Sequence, residues 1–285
     1  AAPQTQAAKP EEKEEIPPKE KIEDLLAELD SYVGMDAIKT EVRSLINMVQ
    51  VYKLRREHDL PTTDMSLHMV FSGNPGTGKT TVARIMSRIY HSLDILSKGQ
   101  LVEVDRSGLV AGYVGQTALK TQKVIEKAMG GVLFIDEAYS LYRGGEDSFG
   151  LEAIDTLVKG IEDHRDDLVV ILAGYSKEMA LFLTANSGLA SRFPNQIEFP
   201  DYTGAELLAI TQSIAKSKGY RLDDACAMPL VAFFDRRQSE NAAENGNGRM
   251  ARNTLEKAIL NQSKRLVADA DAALDLLLPG DFELE

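Results

Sequence analysis

Residues 72–81 read SGNPGTGKTT, and Gly73, Gly78, Lys79 and Thr80 fit the spacing G-x-x-x-x-G-K-[ST]. In a loop of that kind, backbone N–H groups from Asn74, Gly76 and Thr77 onward wrap phosphates while Pro75 stiffens the bend, the lysine reaches the terminal phosphates, and Thr80, followed by Thr81, offers a hydroxyl to Mg²⁺. A helix-start turn with a chance lysine is the plain alternative. The context favours the first reading: Leu67 to Ser72 is apolar and of strand length, and Val82, Ile85, Met86 and Ile89 recur at helical spacing after the loop. The start of that helix adds partial positive charge where the phosphates would lie.

A second set of chemical groups follows the apolar run GGVLFIDEA at 130–138, which ends in Asp136 and Glu137. Acids at the end of a buried strand are costly unless a charge faces them. Mg²⁺ held with a nucleotide would be that charge: Asp136 would hold it through water beside Thr80, and Glu137 would orient or deprotonate an attacking water. Capping of the next helix is the simpler use of such a pair. The spacing from Lys79 leaves room for the two motifs on adjacent strands. Positive charge is also needed as a terminal phosphate departs. Arg192, in GLASRFPN, and Arg249, in NGNGRMARN, are placed to supply it, although a surface ion pair is the ordinary use of an arginine.

These groups need a scaffold. Short apolar runs at 101–105, 168–174 and 195–201 join those at 67–72 and 130–138 to make five expected strands. Amphipathic helical patterns alternate with them, such as Leu151, Ile154, Leu157, Val158 and Ile161. That alternation predicts an α/β fold with a five-stranded parallel sheet covered on both faces. After Pro200 the strands stop and three helical patterns follow, so a small all-α domain is expected over 201–285, after an α/β domain over 25–200. Residues 1–24 are rich in proline and mixed charge and read as a disordered linker. Ile38, Val42, Leu45, Ile46 and Val49 mark a helix before the first strand.

Composition narrows the function classes. The chain of 285 residues carries 32 basic and 44 acidic side chains, a net charge of −12. Nucleic-acid binding needs clustered Lys and Arg and is therefore disfavoured. The single cysteine, Cys226, excludes an internal disulfide, suits a reducing compartment and is expected as a small core residue. His58, His68, His91 and His164 are scattered and make no metal cluster. No run reaches the ~18 apolar residues a membrane span requires, and the first residues given read as no apolar signal segment. The expected location is cytoplasmic. The chain lacks an initiator Met, as a piece excised from something longer would.

The run GLVAGYVGQTALKTQKVIEKAMGGVLFIDEAYSLY resembles an AAA+ ATPase. With HMVFSGNPGTGKTTVAR, DDLVVILAGYSKEM, SGLASRFPNQIEFPDYT and NGNGRMARNTLEKAI, the chain is similar more narrowly to the CbbX/SpoVK/EccA-like branch, over about residues 25–268. That branch includes red-type Rubisco activases, a sporulation-associated ATPase and type VII secretion ATPases. The resemblance implies a P-loop AAA+ module with a helical lid, using ATP and Mg²⁺. It makes residues 73–81 the Walker A loop and Asp136 and Glu137 the Walker B acids. Tyr175–Ser176 falls at the sensor 1 position, where many members have Asn. Arg192 matches an arginine finger acting on a neighbouring subunit; where some relatives have a second arginine, this chain has Asn195. Arg249 matches sensor 2, with Arg252 a lesser candidate, and Val33 and Gly34 match the segment that meets adenine. Tyr113, Val114 and Gly115 match the aromatic–hydrophobic–glycine loop lining a hexamer pore, where a stiff amphipathic ring grips extended polypeptide. By the residues alone, packing within its loop is the ordinary reading of Tyr113, and it is the resemblance that reverses it.

The implied activity is ATP hydrolysis by a homo-oligomeric ring, a hexamer, that remodels or threads a protein client. A nucleotide-gated scaffold in a larger machine is the alternative, and a nucleic-acid motor or loader is a third. The sequence names no client.

Overall fold

The five apolar runs become the five strands of one parallel sheet in the computed structural model, which describes residues 16–62, 65–113, 115–268 and 273–284. The helix α1 spans Ile22–Ser31 and α2 Asp36–Glu57; then come β1 (Met69–Gly73), α3 (Lys79–Ser92), β2 (Leu101–Val104), α4 (Arg106–Leu109) and α5 (Gln116–Ala128). They are followed by β3 (Val132–Ile135), α6 (Ser148–Asp163), β4 (Val169–Gly174), α7 (Ser176–Ala185), α8 (Ser187–Ala190) and β5 (Asn195–Phe199). Strand order is β2-β3-β4-β1-β5, and every pairing is parallel.

The strands read as unbroken apolar runs because both faces of the sheet are covered. Phe71, Phe134 and Ile171 turn to one face and join Leu25, Val42 and Ile85 of α1, α2 and α3. Their neighbours Val70, Leu133 and Val170 turn to the other and meet Ile125, Leu157 and Phe182 of α5, α6 and α7. Each such fully buried side chain contributes on the order of 2 kcal/mol. The residues of α2 that repeat at helical spacing, Ile38, Val42, Leu45, Ile46 and Val49, are the ones it buries.

Beyond β5 lie α9 (Gly204–Ser217), β6 (Arg221–Leu222), α10 (Ala227–Asn245), α11 (Gly248–Ala268) and β7 (Leu276–Leu277). The three helices enclose their own core around Leu207, Phe234 and Leu255. Thr203 and Glu206 cap α9 reciprocally, each side chain satisfying a backbone N–H of the other residue. The helical unit also holds a two-residue parallel ladder, β6 with β7, so strand pairing does not end at Pro200. Two residues are too few for a periodic signal. Cys226 is buried just before α10, with its thiol 3.6 Å from the Leu277 carbonyl.

Of the expected 1–24 linker, residues 1–15 lie outside the described residues. Residues 16–21 have no regular structure, yet they are tied down: Glu20 takes two bonds from Arg88 of α3, and the Pro17 carbonyl meets the His91 ring at 3.1 Å. Among the described residues regular structure begins at Ile22, where Leu25 and Leu29 anchor a whole helix on α3.

Candidate functional site

At the exit of β1, the phosphate loop turns into α3 through Gly78, whose φ of 95° suits glycine. A Cβ at Gly78 would also overlap the Met35 side chain. Lys79 bends back over the loop and donates to the carbonyls of Gly73 and Asn74, each at 2.7 Å. Burial pushes its amine down to about 8, against an upward pull from Asp136 and a further downward push from Arg249. The side chains of Asn74 and Thr77 serve the loop itself. Asn74 donates to both carboxylate oxygens of Asp201 at 2.9 Å, and the buried Thr77 hydroxyl donates to the Asn74 carbonyl at 2.8 Å.

The two acids follow β3. The Asp136 N–H donates to the Val104 carbonyl, prolonging the β2–β3 ladder, and the Glu137 N–H donates to Asp136 Oδ1 at 3.0 Å. Glu137 has a φ of 48°, a left-handed conformation that costs a side-chain-bearing residue on the order of 1 kcal/mol. The loop strand and the acid strand are not adjacent, as their spacing allowed: β4 runs between them. This brings the end of β4, at Gly174 and Tyr175, into the same cleft. Ser176 begins α7 and is exposed outside it, so Tyr175 rather than Ser176 faces the site. The Tyr175 ring lies 5.8 Å from that of Tyr139, whose hydroxyl is raised well above its usual range by burial and then by the Glu137 charge.

Gly73, Gly78, Lys79, Asp136, Glu137, Gly174 and Tyr175 share one cleft of about 610 Å³ with Pro75, Gly76, Thr80 and Thr81, whereas Asn74 and Thr77 do not line it. Beside the loop and the acids, the cleft is walled by Tyr32, Val33 and Met35 between α1 and α2, by Tyr202 after β5, and by Ile210, Ser213 and Ile214 of α9. Among these wall residues, sequence reading found Val33 alone. The rest come from segments distant in sequence, and the only available signals were the glycine at position 34 and the Pro200-Asp201 stop before Tyr202. Gly34 does not line the cleft; it lies against the Glu206 carboxylate. Tyr32 is fixed by its hydroxyl, which donates to Glu28 at 2.9 Å, and Glu28 in turn pairs with Arg88 at 2.8 Å. Burial, reinforced by Glu28, pushes that hydroxyl up to about 12. Arg249 and Arg252 reach the cleft from the first turns of α11.

Arg192 and the Tyr113 loop stand elsewhere. Arg192 lies where the chain enters β5, and its carbonyl accepts the Ser66 hydroxyl at 2.8 Å. Met69 pairs with Asn195 and Gly73 with Phe199, so Arg192 is at the opposite end of β1 from the phosphate loop. A five-residue strand separates those ends by about 17 Å. Asn195 donates to the carbonyls of Ser66 and His68 at 2.9 and 3.3 Å and so fastens the sheet edge. Tyr113 is 74% exposed between α4 and α5. A Cβ placed on Gly112 or Gly115 beside it would meet no atom within 4 Å. Val114 lies outside the described residues.

A parallel sheet with a phosphate loop at the end of an inner strand, two acids at the next strand but one, and a helical lid over the cleft defines a P-loop nucleotide-binding protein. Residues 69–201 match the family described as "ATPase family associated with various cellular activities (AAA)", and residues 203–285 match the AAA lid domain. Stage V sporulation protein K of Bacillus subtilis is 44% identical over 247 residues, 86% of this chain and 77% of that one. The chloroplastic ribulose bisphosphate carboxylase/oxygenase activase of Cyanidioschyzon merolae is 43% identical over 249 residues, 87% and 84% of the two chains. The chromosomal CbxX protein of Cupriavidus necator is 43% identical over 256 residues, 89% and 80%. The chain belongs to the AAA ATPase family, in the branch its motifs resemble. The fold recurs in the FIGL-1 AAA domain in complex with ADP, with a TM-score of 0.60, 18% identity and coverage of 93% and 89%. It recurs also in a Thermotoga maritima RuvB mutant, with a TM-score of 0.58, 20% identity and coverage of 89% and 69%. Among the described residues no helix is long and apolar enough to cross a membrane.

Proposed function

We propose that this chain hydrolyses ATP as one subunit of a ring, a hexamer, that remodels or threads a protein client. The observation that carries this reading is a division of labour. Lys79, Thr80, Asp136, Glu137 and Arg249 line one cleft, whereas Arg192 stands at the far end of β1 and Tyr113 projects into solvent. A cleft lacking its own arginine finger suits completion by a second copy.

In this reading the nucleotide-binding domain spans residues 25–200, the lid 201–285, and residues 1–24 form a linker. The apolar wall at Tyr32, Val33 and Met35 takes the base, and the loop N–H groups and Lys79 hold the phosphates. Thr80 and Asp136, oxygen donors lining the same cleft, fit a hard divalent cation such as Mg²⁺. That ion, when bound, neutralises charge between the terminal phosphates. Glu137 orients the attacking water and accepts its proton. Arg249 reads the terminal phosphate from the lid, so hydrolysis releases the lid and moves the Tyr113 loop. The lone, buried Cys226 fits a cytoplasmic setting, and the net charge of −12 argues against a nucleic-acid track.

The test combines mass photometry in ATP and Mg²⁺ with hydrolysis and unfolding of a tagged protein bearing an unstructured tail. Tyr113→Ala is expected to hydrolyse ATP and assemble as wild type does, but to lose unfolding. Hydrolysis and assembly without any unfolding by the wild-type protein would leave the scaffold reading in its place, and full unfolding by Tyr113→Ala would take the gripping role from Tyr113.

A further inference from the structure

The lid meets the phosphate loop through backbone and through one buried amide. Between α10 and α11 the chain passes through Gly246 and Asn247, with φ of 77° and 47°. Asn247 is fully buried, which is rare for asparagine, though asparagine is among the few residues that tolerate this conformation. Its Nδ2 donates to Asp201 Oδ1 at 2.8 Å and to the Pro75 carbonyl at 3.3 Å. Its Oδ1 accepts the Tyr202 N–H at 2.9 Å and Gln238 Nε2 at 2.7 Å. The amide can point only one way, because a backbone N–H cannot accept and a carbonyl cannot donate. One side chain thus joins the phosphate loop, the exit of β5 and α10 at the start of α11. Beside it, the Gly248 N–H donates to the Gly76 carbonyl at 3.0 Å. A Cβ on Gly76 would overlap the Gly246 carbonyl, so the two loops touch backbone to backbone.

We infer that Asn247 is a positioning residue that sets the register of Arg249 over the phosphate loop, an inference that rests on the nucleotide reading above. Arg249 sits in the first turn of α11, two residues beyond Asn247. Its long side chain has no fixed reach of its own; the start of α11 supplies it. Asn247 and Gly248 hold that start against Pro75 and Gly76, so a shift in the loop on filling or emptying passes to the lid. A buried amide with four partners transmits such a shift because none of its bonds is replaceable by water.

Two variants test this. Asn247→Gly keeps the left-handed backbone and removes all four bonds. Asn247→Asp keeps the size and the accepted bonds and turns a charge toward Asp201. Spin labels at Lys123→Cys and Leu260→Cys, both exposed, report the lid-to-sheet distance without nucleotide, since Cys226 is buried. Both variants are expected to broaden the distance distribution. In calorimetry, the ratio of the ADP and ATPγS dissociation constants is expected to fall about tenfold, and adding Arg249→Ala to either variant should change it little further. An unchanged distance distribution, or a ratio within twofold of wild type, overturns the inference. A wild-type protein binding neither nucleotide sinks the nucleotide reading and the Arg249 role with it, while the distances still decide whether Asn247 holds the lid.

Discussion

Arg192 and Glu162 form an ion pair within one chain: the guanidinium meets the same carboxylate oxygen at 2.9 Å through Nε and 2.8 Å through Nη2, and donates from Nη1 to the Gly188 carbonyl at 2.6 Å. Glu162 is largely exposed, so the pair is worth at most about 1 kcal/mol and yields readily to a better anion. If that anion is a phosphate in a neighbouring subunit, Arg192→Ala lowers hydrolysis by about a thousandfold or more with nucleotide affinity retained. A subunit carrying Lys79→Ala cannot fill its own cleft but still presents Arg192. Mixing it with Arg192→Ala subunits should restore part of the turnover. A mixture no more active than the two proteins assayed apart would show that Arg192 does not act between subunits.

Glu137 is the acid whose backbone is held in the left-handed region, and the Asp136 side chain fixes its N–H. Replacing it with glutamine keeps the shape and removes the base. Turnover by Glu137→Gln is expected to fall by about 10²–10⁴ while ATP affinity stays within a fewfold of wild type. Steady-state hydrolysis and calorimetry together read this out. Near-normal turnover would return Glu137 to the capping role that its place before a 3₁₀ turn at Ala138–Leu141 also permits.

Lys79 carries a pH signature. Burial holds its amine at about 8, against 10.5 for a free lysine. Between those values the unfolded chain binds more protons, so this group makes the protein more stable as pH rises through that window and costs it stability below. Phosphates restore the charge. Nucleotide binding at about pH 8.5 should therefore take up a fraction of a proton, and at about pH 6.5 none through this group. Calorimetry in two buffers of different ionisation enthalpy measures the difference. Lys79→Arg, charged at both pH values, is expected to remove the uptake; uptake of the same size at both pH values would contradict the assignment.

The parts of this molecule legible in its sequence are those whose physics is local. Buried parallel strands must be apolar throughout, so β1, β3 and β4 announce themselves, and the phosphate loop needs glycines in fixed places. Pairing order is not local: nothing in the run from Val169 to Gly174 says that it lies between the loop and the acids. The cleft's apolar wall draws Tyr32, Tyr202 and Ile214 from three separate segments, each unremarkable where it stands. Asn247 reads as a turn residue among glycines, and its four partners become visible only when α11 is laid against the phosphate loop.

His68 governs how the sheet beneath the cleft withstands acid. It is buried just before β1, and its Nδ1 accepts the Val170 N–H at 3.0 Å, closing the β1–β4 seam from the end opposite the phosphate loop. The ring must be neutral at Nδ1 to accept, and burial pushes its pKa down to about 4. Between 6.5 and about 4 the unfolded chain binds the proton and the folded one does not. Stability from this residue is thus fully present above the unfolded value and is lost as pH falls through the window, on the order of 3 kcal/mol in all. Carboxylates add to the acid loss of any protein, so the informative quantity is the difference between wild type and His68→Gln. The glutamine variant is expected to be less stable than wild type at neutral pH, because it packs poorly against Phe193, whose ring lies 5.7 Å from that of His68. Its urea midpoint should then fall less steeply on acidification, so that the two curves converge toward pH 4. Parallel curves would mean that the seam is held without the neutral imidazole.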